Sequence, residues 1–337
     1  MRVSQNASLK SYNTFGIDVK AKTLISVESV DELISVLKKN DTEDLFILGG
    51  GSNMLLTQNI DTTVIHIDIK GFEVVRETEE FVFVKSYAGE NWHEFVLYTL
   101  ENNWGGLENL SLIPGNVGTS PIQNIGAYGV ELKDHFVSCD ALDIQTLEVI
   151  NFTAEECEFD YRNSIFKNKV KGKYIITNVV FKLTKANHKL LTSYGAINEA
   201  LVEMGVNNVG IRDISNAVIK IRQQKLPDPK ELGNSGSFFK NPVISNKEFE
   251  VLKEQFPEIP SYNVGEDSIK IPAGWLIDKA GLKGYREGNT GVHKNQALVL
   301  VNYGEATGEE ILKLSRKVQE EILTKFNIYL EPEVNII

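Results

Sequence analysis

Three consecutive glycines, Gly49-Gly50-Gly51, follow directly on the apolar run Leu45-Phe46-Ile47-Leu48 and lead into Ser52-Asn53. A strand that ends in such a run must turn tightly, and its backbone can then aim several N–H groups at one anion, as a pyrophosphate requires. The pattern is not Gly-x-Gly-x-x-Gly, because Met54 holds the last position, and no lysine follows as in a P-loop. A nicotinamide-type Rossmann site is therefore disfavoured. On its own a triple glycine after a strand is more often a plain turn.

A second loop changes the balance. Residues 113–129, Ile113-Pro114-Gly115-Asn116-Val117-Gly118-Thr119-Ser120-Pro121-Ile122-Gln123-Asn124-Ile125-Gly126-Ala127-Tyr128-Gly129, reach the length at which an irregular loop is usually functional, and they are apolar for a surface segment. Two such loops could clamp a large dianionic cofactor. The alternative is a buried crossover packed by its own Ile and Pro residues.

With 337 residues the chain exceeds the usual size of one core, so two or three subdomains are expected. A net charge of -11 argues against a general nucleic-acid binder. Cys139 and Cys157 are too few for a disulfide framework and form no Cys-x-x-Cys pair, which suits a reduced cytoplasmic setting. The start lacks a signal-peptide core and no apolar run reaches bilayer-spanning length, so the expectation is a soluble chain with no membrane insertion. His66, His93, His135, His188 and His293 are scattered without ligand spacing, and no metal is expected.

The element pattern opens β-α-β-β. It has a strand at Thr23–Val27, a helix begun by a Ser29/Glu32 capping box, and strands at Leu45–Leu48 and Val64–Ile69. Strands at Phe81–Lys85 and Tyr174–Leu183 flank a helix at Trp92–Leu100, and helices follow at Ile197–Met204 and Ile214–Gln224. Lys225-Leu226-Pro227-Asp228-Pro229 reads as a joint. Beyond it come helices near Phe249 and Trp275, a strand at Ala297–Val301, and a long helix opened by Thr307 and Glu310. An extended tail from Ile328 returns to an earlier sheet. The domains expected are 1–70, 71–226 joined by the tail 328–337, and 227–327.

Three remote segments carry the chemistry: Tyr161-Arg162-Asn163-Ser164, Gly236-Ser237-Phe238-Phe239-Lys240-Asn241-Pro242, and Glu331-Pro332-Glu333. They supply a guanidinium, a hydroxyl and a carboxyl group, a set suited to protonating a carbon next to a carboxylate. Taken singly, Arg162 could be a structural ion-pair partner and Ser237 a turn residue.

From Asn13-Thr14-Phe15-Gly16-Ile17 to Glu331-Pro332-Glu333-Val334 the chain resembles the UDP-N-acetylenolpyruvoylglucosamine reductase (MurB) family. Residues 113–129, Gly236–Pro242 and Ala273-Gly274-Trp275-Leu276-Ile277-Asp278 carry the likeness, and Leu191-Thr192-Ser193-Tyr194-Gly195 resembles the substrate-capping loop of its type I branch. The resemblance implies an α+β, three-domain FAD-binding fold of the vanillyl-alcohol-oxidase (PCMH) type with a C-terminal α/β substrate domain. It implies an NADPH-dependent flavoenzyme that reduces UDP-N-acetylglucosamine enolpyruvate to UDP-N-acetylmuramate for peptidoglycan. Arg162, Ser237 and Glu333 match its catalytic positions, with Ser237 the proton donor. Gly49, Gly50, Gly51, Ser52, Asn53, Gly115, Thr119, Ser120, Gly126 and Arg222 are the implied FAD contacts, and Tyr194, Lys225, Asn241 and Gln296 the substrate contacts. FAD is expected to be non-covalent, since the first glycine loop holds no histidine, and the protein a cytoplasmic monomer. Asn335 departs from the family, which often has a basic residue there, and puts one flavin contact in doubt. The rivals are an oxidase of the same fold and a nucleotide-binding protein without turnover.

Overall fold

The computed structural model describes residues 1–40 and 45–337. Its contacts divide the chain into two compact units, Met1–Ala7 with Ala21–Gly50 and Ile60–Gln224, and Ser8–Lys20 with Gly51–Asn59 and Lys225–Ile337.

Among the described residues the first unit has two main sheets and a short strand pair. In the smaller, the strands run in the order Arg2–Ser8, Lys20–Val27, Ile60–Ile67, Leu45–Leu48, with the last three parallel. The helix Val30–Leu37 packs on it through Leu33, Val36 and Leu37. Ser29 caps this helix by accepting the Glu32 N–H, but the box is not reciprocal: the Glu32 carboxylate accepts from Glu28 N–H and the N-terminal amine. The larger sheet is antiparallel throughout, in the order Val149–Thr153, Phe136–Asp143, Tyr174–Thr184, Phe81–Tyr87, Phe72–Glu77. Leu142 and Ile175 from this sheet join Ile25, Val27 and Leu33 in one buried cluster, so the two sheets share a core.

The helix Trp92–Glu101 starts where Asn91 Oδ1 accepts the N–H groups of His93 and Glu94, which satisfies two donors the first turn would leave bare. Its buried residues Trp92, Phe95, Val96, Thr99 and Leu100 follow helical spacing. Trp92 and Phe95 meet Phe181 of the sheet at centroid distances of 5.8 and 5.0 Å. The helices Ile197–Glu203 and Ile211–Lys225 bury Ile197, Leu201, Ile214, Val218 and Ile221 against each other. Cys139 and Cys157 are free and buried.

In the second unit the strands Arg286–Glu287, Thr290–Val292 and Leu300–Asn302 form an antiparallel sheet. The sequence pattern starts the last of these at Ala297, but residues 297–298 lie in a turn and Val299 is bridged to Ser237 instead. A further bridge joins Phe239 to Pro332. The strands Val243–Ile244, Ser268–Lys270 and Tyr262–Gly265 make a second small sheet. The tail, expected to join residues 71–226, instead pairs Asn335-Ile336 in parallel with Met54-Leu55.

The helix Gly308–Phe326 opens with a reciprocal capping box between Thr307 and Glu310 and buries Ile311, Leu314, Val318 and Ile322. It starts with a glycine for a steric reason. A Cβ at Gly308 would lie 1.9 Å from the Leu56 carbonyl oxygen and 2.7 Å from Thr57 Cα, both backbone atoms that cannot step aside. Gly308→Ala is expected to cost about 3 kcal/mol or more, seen as a lower urea midpoint with an unchanged slope.

Among the described residues no helix is long and apolar enough to cross a membrane, and no group of three or more His, Cys, Asp or Glu could hold a metal ion.

Candidate active site

The expected site residues divide between the two units. Gly49, Gly50, Gly115, Thr119, Ser120, Gly126, Arg162, Tyr194 and Arg222 belong to the first, and Gly51, Ser52, Asn53, Lys225, Ser237, Asn241, Gln296 and Glu333 to the second.

In the first unit the two glycine loops lie backbone against backbone. A methyl group at Gly49 would sit 2.5 Å from Thr119 Cγ2, and one at Gly50 would sit 2.7 Å from Asn116 Oδ1 and 2.9 Å from Gly115 Cα. Only glycine permits this approach. The 113–129 segment is not structureless: it contains a 3-10 turn at Val117–Thr119 and a short strand pair, Gly126–Ala127 with Val130–Glu131. Asn124, fully buried, ties it down by donating to Glu131 Oε2 and the Asp160 carbonyl and accepting from Lys133 N–H. The Thr119 and Ser120 hydroxyls donate to the Asn116 and Val117 carbonyls, so their hydrogens shape the loop. Backbone donors are then needed beside any side-chain cation, and the Gly50 N–H has no acceptor among the described residues. A dianionic, elongated cofactor such as FAD fits this donor set.

Arg162 occupies the third position of a tight turn closed by Asp160 N–H to Asn163 O and Asn163 N–H to Asp160 O. Its φ of +53° lies in the left-handed region, where glycine or asparagine is usual. Strain of this kind persists where surroundings over-determine it, often at functional sites. The side chain reaches Gly126, whose carbonyl accepts from Nη2 at 2.7 Å. Arg222, on the helix Ile211–Lys225, donates Nε–H to the Leu112 carbonyl at 3.2 Å. Burial lowers its pKa, opposed by nearby Tyr128 and reinforced by the positive charge of Arg162. Two guanidinium groups therefore share one neighbourhood, a setting that favours an anionic ligand. Tyr194 is 60% exposed, and its side chain lies over Gly129, at whose φ of +82° a Cβ would come within 3.3 Å of the tyrosine. Asn109, buried and unremarked in the sequence, donates to both the Tyr128 and Leu191 carbonyls and so pins the Tyr194 loop to the end of the second glycine loop.

In the second unit Gly51 has φ +59° and lies so close to Tyr12 that a Cβ would be 1.9 Å from its carbonyl oxygen. The Asn53 carbonyl accepts from both Asn335 N–H and Asn335 Nδ2, and Asn53 Nδ2 donates to the Glu333 carbonyl. Asn335, the departure from the family pattern, thus clamps the end of the first glycine loop to the C-terminal tail. Ser237 follows Gly236, whose φ is +69°, and is half-buried. Glu333 N–H donates to the Phe238 carbonyl at 2.8 Å, so the expected proton donor and carboxyl group lie on neighbouring backbone segments. Asn241 Oδ1 accepts from Ala273 N–H at the start of the helix Ala273–Lys279, which leaves its Nδ2 hydrogens to donate. Gln296 Oε1 would be 3.4 Å from a Cβ at Gly274 on the same helix. Asn241 and Gln296 therefore flank one helix start. Lys225 is exposed.

The chain is similar to known proteins. Residues 21–152 match the FAD binding domain family, and residues 228–337 match UDP-N-acetylenolpyruvoylglucosamine reductase, C-terminal domain. Over 337 residues, all of both chains, the sequence is 60% identical to the UDP-N-acetylenolpyruvoylglucosamine reductase of Flavobacterium johnsoniae. The chain belongs to the UDP-N-acetylenolpyruvoylglucosamine reductase family. The same enzyme of Amoebophilus asiaticus is 47% identical over 339 residues, again covering all of both chains. The crystal structure of the Thermus caldophilus reductase superposes with a TM-score of 0.68 at 25% identity, covering 100% of this chain and 99% of that one. As a reductase of this family the protein is an FAD-dependent oxidoreductase serving peptidoglycan synthesis, and its α+β fold is built around an FAD-binding domain.

Proposed function

We propose that the chain reduces UDP-N-acetylglucosamine enolpyruvate to UDP-N-acetylmuramate with NADPH as the electron source, in the cytoplasm and as a monomer. Residues 1–70 and 71–226 hold FAD in this reading, and 227–327 hold substrate. FAD held there would supply hydride for the terminal alkene carbon, with NADPH as its source. Arg162 pairs through its planar fork with the substrate carboxylate, beside which negative charge develops. Ser237 gives its hydroxyl proton to the carbon next to that carboxylate, completing the addition of one hydride and one proton across the double bond. The Glu333 carboxyl group, protonated or hydrogen-bonded, holds the enol oxygen. Tyr194 and Lys225 offer a hydroxyl and a point charge to the diphosphate, and Asn241 and Gln296 offer amides to the rest of the nucleotide.

The observation that best supports these roles is the contact between Glu333 N–H and Phe238 O, which joins two segments far apart in sequence but neighbours in the second unit. Anaerobic incubation with NADPH and the enolpyruvyl nucleotide is expected to give a product heavier by one H2, with one NADPH consumed per product. NADPH loss that requires oxygen and ignores the nucleotide would indicate an oxidase instead. Cell-division and cell-shape defects on depletion are the expected cellular consequence.

A further inference from the structure

Leu112 stands immediately before the second glycine loop and has φ +59°. A leucine seldom adopts this conformation, so something must hold it there. Its N–H donates to His93 Nδ1 at 3.0 Å, and its carbonyl accepts from Arg222 Nε at 3.2 Å. One peptide segment is thus gripped by an imidazole and a guanidinium from two different helices. The first of these helices also holds the loop three residues on, where Trp92 N–H donates to the Gly115 carbonyl at 2.9 Å. Nearby, Trp92 Nε1 donates to Leu110 O, and the Ser111 and Ser215 hydroxyls are bonded at 2.7 Å.

We propose that His93 is a positioning residue for FAD: its unprotonated Nδ1 keeps Leu112 left-handed and thereby aims residues 113–129 at the cofactor, and its protonation loosens FAD. The inference rests on the reading that residues 113–129 line FAD.

An imidazole accepts through Nδ1 only when that nitrogen carries no proton. Burial holds the His93 pKa below the ordinary histidine value, Arg222 adds to the effect, and Glu94 opposes it. The position of His93 in the first turn of a helix also disfavours a cation. The accepting form is therefore present at neutral pH and is lost as pH falls through the lowered pKa, on the acid side of about 6.5.

The test is the rate of FAD release from the holoenzyme, followed by flavin fluorescence after dilution, between about pH 5 and 8. The wild-type protein is expected to release FAD faster as pH falls. His93→Ala, which leaves the Leu112 N–H without an acceptor, is expected to release it about tenfold faster at neutral pH and with a flat profile. In His93→Asn the amide oxygen can replace Nδ1 without titrating, so the neutral rate is expected to be restored and the acid acceleration lost. A neutral rate for His93→Ala equal to wild type, or a wild-type pH profile in either variant, overturns the proposal. If His93→Ala does not fold, the profile of His93→Asn decides alone. Gly50→Ala separates the two layers, because its methyl group would push the loops apart. Fast release from Gly50→Ala with wild-type behaviour of the His93 variants removes only the role of His93. Unchanged release from Gly50→Ala removes the loop assignment beneath it.

Discussion

Ser237→Ala is expected to leave bleaching of the flavin by NADPH largely intact while slowing its reoxidation by the enolpyruvyl nucleotide about 10²–10⁴-fold. The first half-reaction moves a hydride and needs no proton at Ser237. On the proposed mechanism the second leaves charge beside a carboxylate, which a positioned donor quenches far faster than solvent. The fold should tolerate the change. Ser237 Oγ makes no hydrogen bond among the described residues, whereas the backbone is held by the bridge to Val299 and by Phe238 N–H to Leu298 O at 2.8 Å. An unchanged melting temperature should therefore accompany the lost half-reaction. Equal slowing of both halves would remove the proton-donor role.

Arg162→Lys is expected to lower kcat/KM for the nucleotide on the order of 10²-fold, the effect of about 2–4 kcal/mol lost from a charge-assisted contact. Lysine keeps the charge but not the fork that meets both carboxylate oxygens. Arg162→Gly makes a sharper comparison. At φ +53° glycine relieves backbone strain, but the bond from Nη2 to Gly126 O is lost, so stability should stay within about 1 kcal/mol while activity collapses. Full activity in Arg162→Lys would show that charge alone suffices and that the bidentate role is wrong.

Amphipathic elements were legible because their burial repeats with their geometry. Trp92, Phe95, Val96, Thr99 and Leu100 follow a helix, and Val82, Val84 and Ser86 alternate along a strand. The strands Arg2–Ser8 and Phe72–Glu77 escaped notice because each lies at a sheet edge and is almost wholly exposed, leaving no apolar alternation to read. Glu32 mimicked a reciprocal capping box, yet its carboxylate found the Glu28 N–H and the N-terminal amine, partners that spacing alone does not reveal.

The glycine loops stood out by composition, but the reason for each glycine did not. Gly50 faces Asn116 and Gly51 faces Tyr12, contacts made only once the chain is folded. His93, Leu112 and Asn109 were invisible as site-shaping residues for the same cause. A leucine that takes a left-handed turn, or an asparagine whose amide spans two remote carbonyls, carries no local signature. Asn335 looked like a missing cation, and in the fold it grips the Asn53 carbonyl twice.

The relay through flavin is tested most directly by an anaerobic titration of the yellow holoenzyme. One equivalent of NADPH should abolish the flavin absorbance, and one equivalent of UDP-N-acetylglucosamine enolpyruvate should then restore it with oxygen absent throughout. Absorbance that returns only when air is admitted, whatever nucleotide is present, would contradict the account.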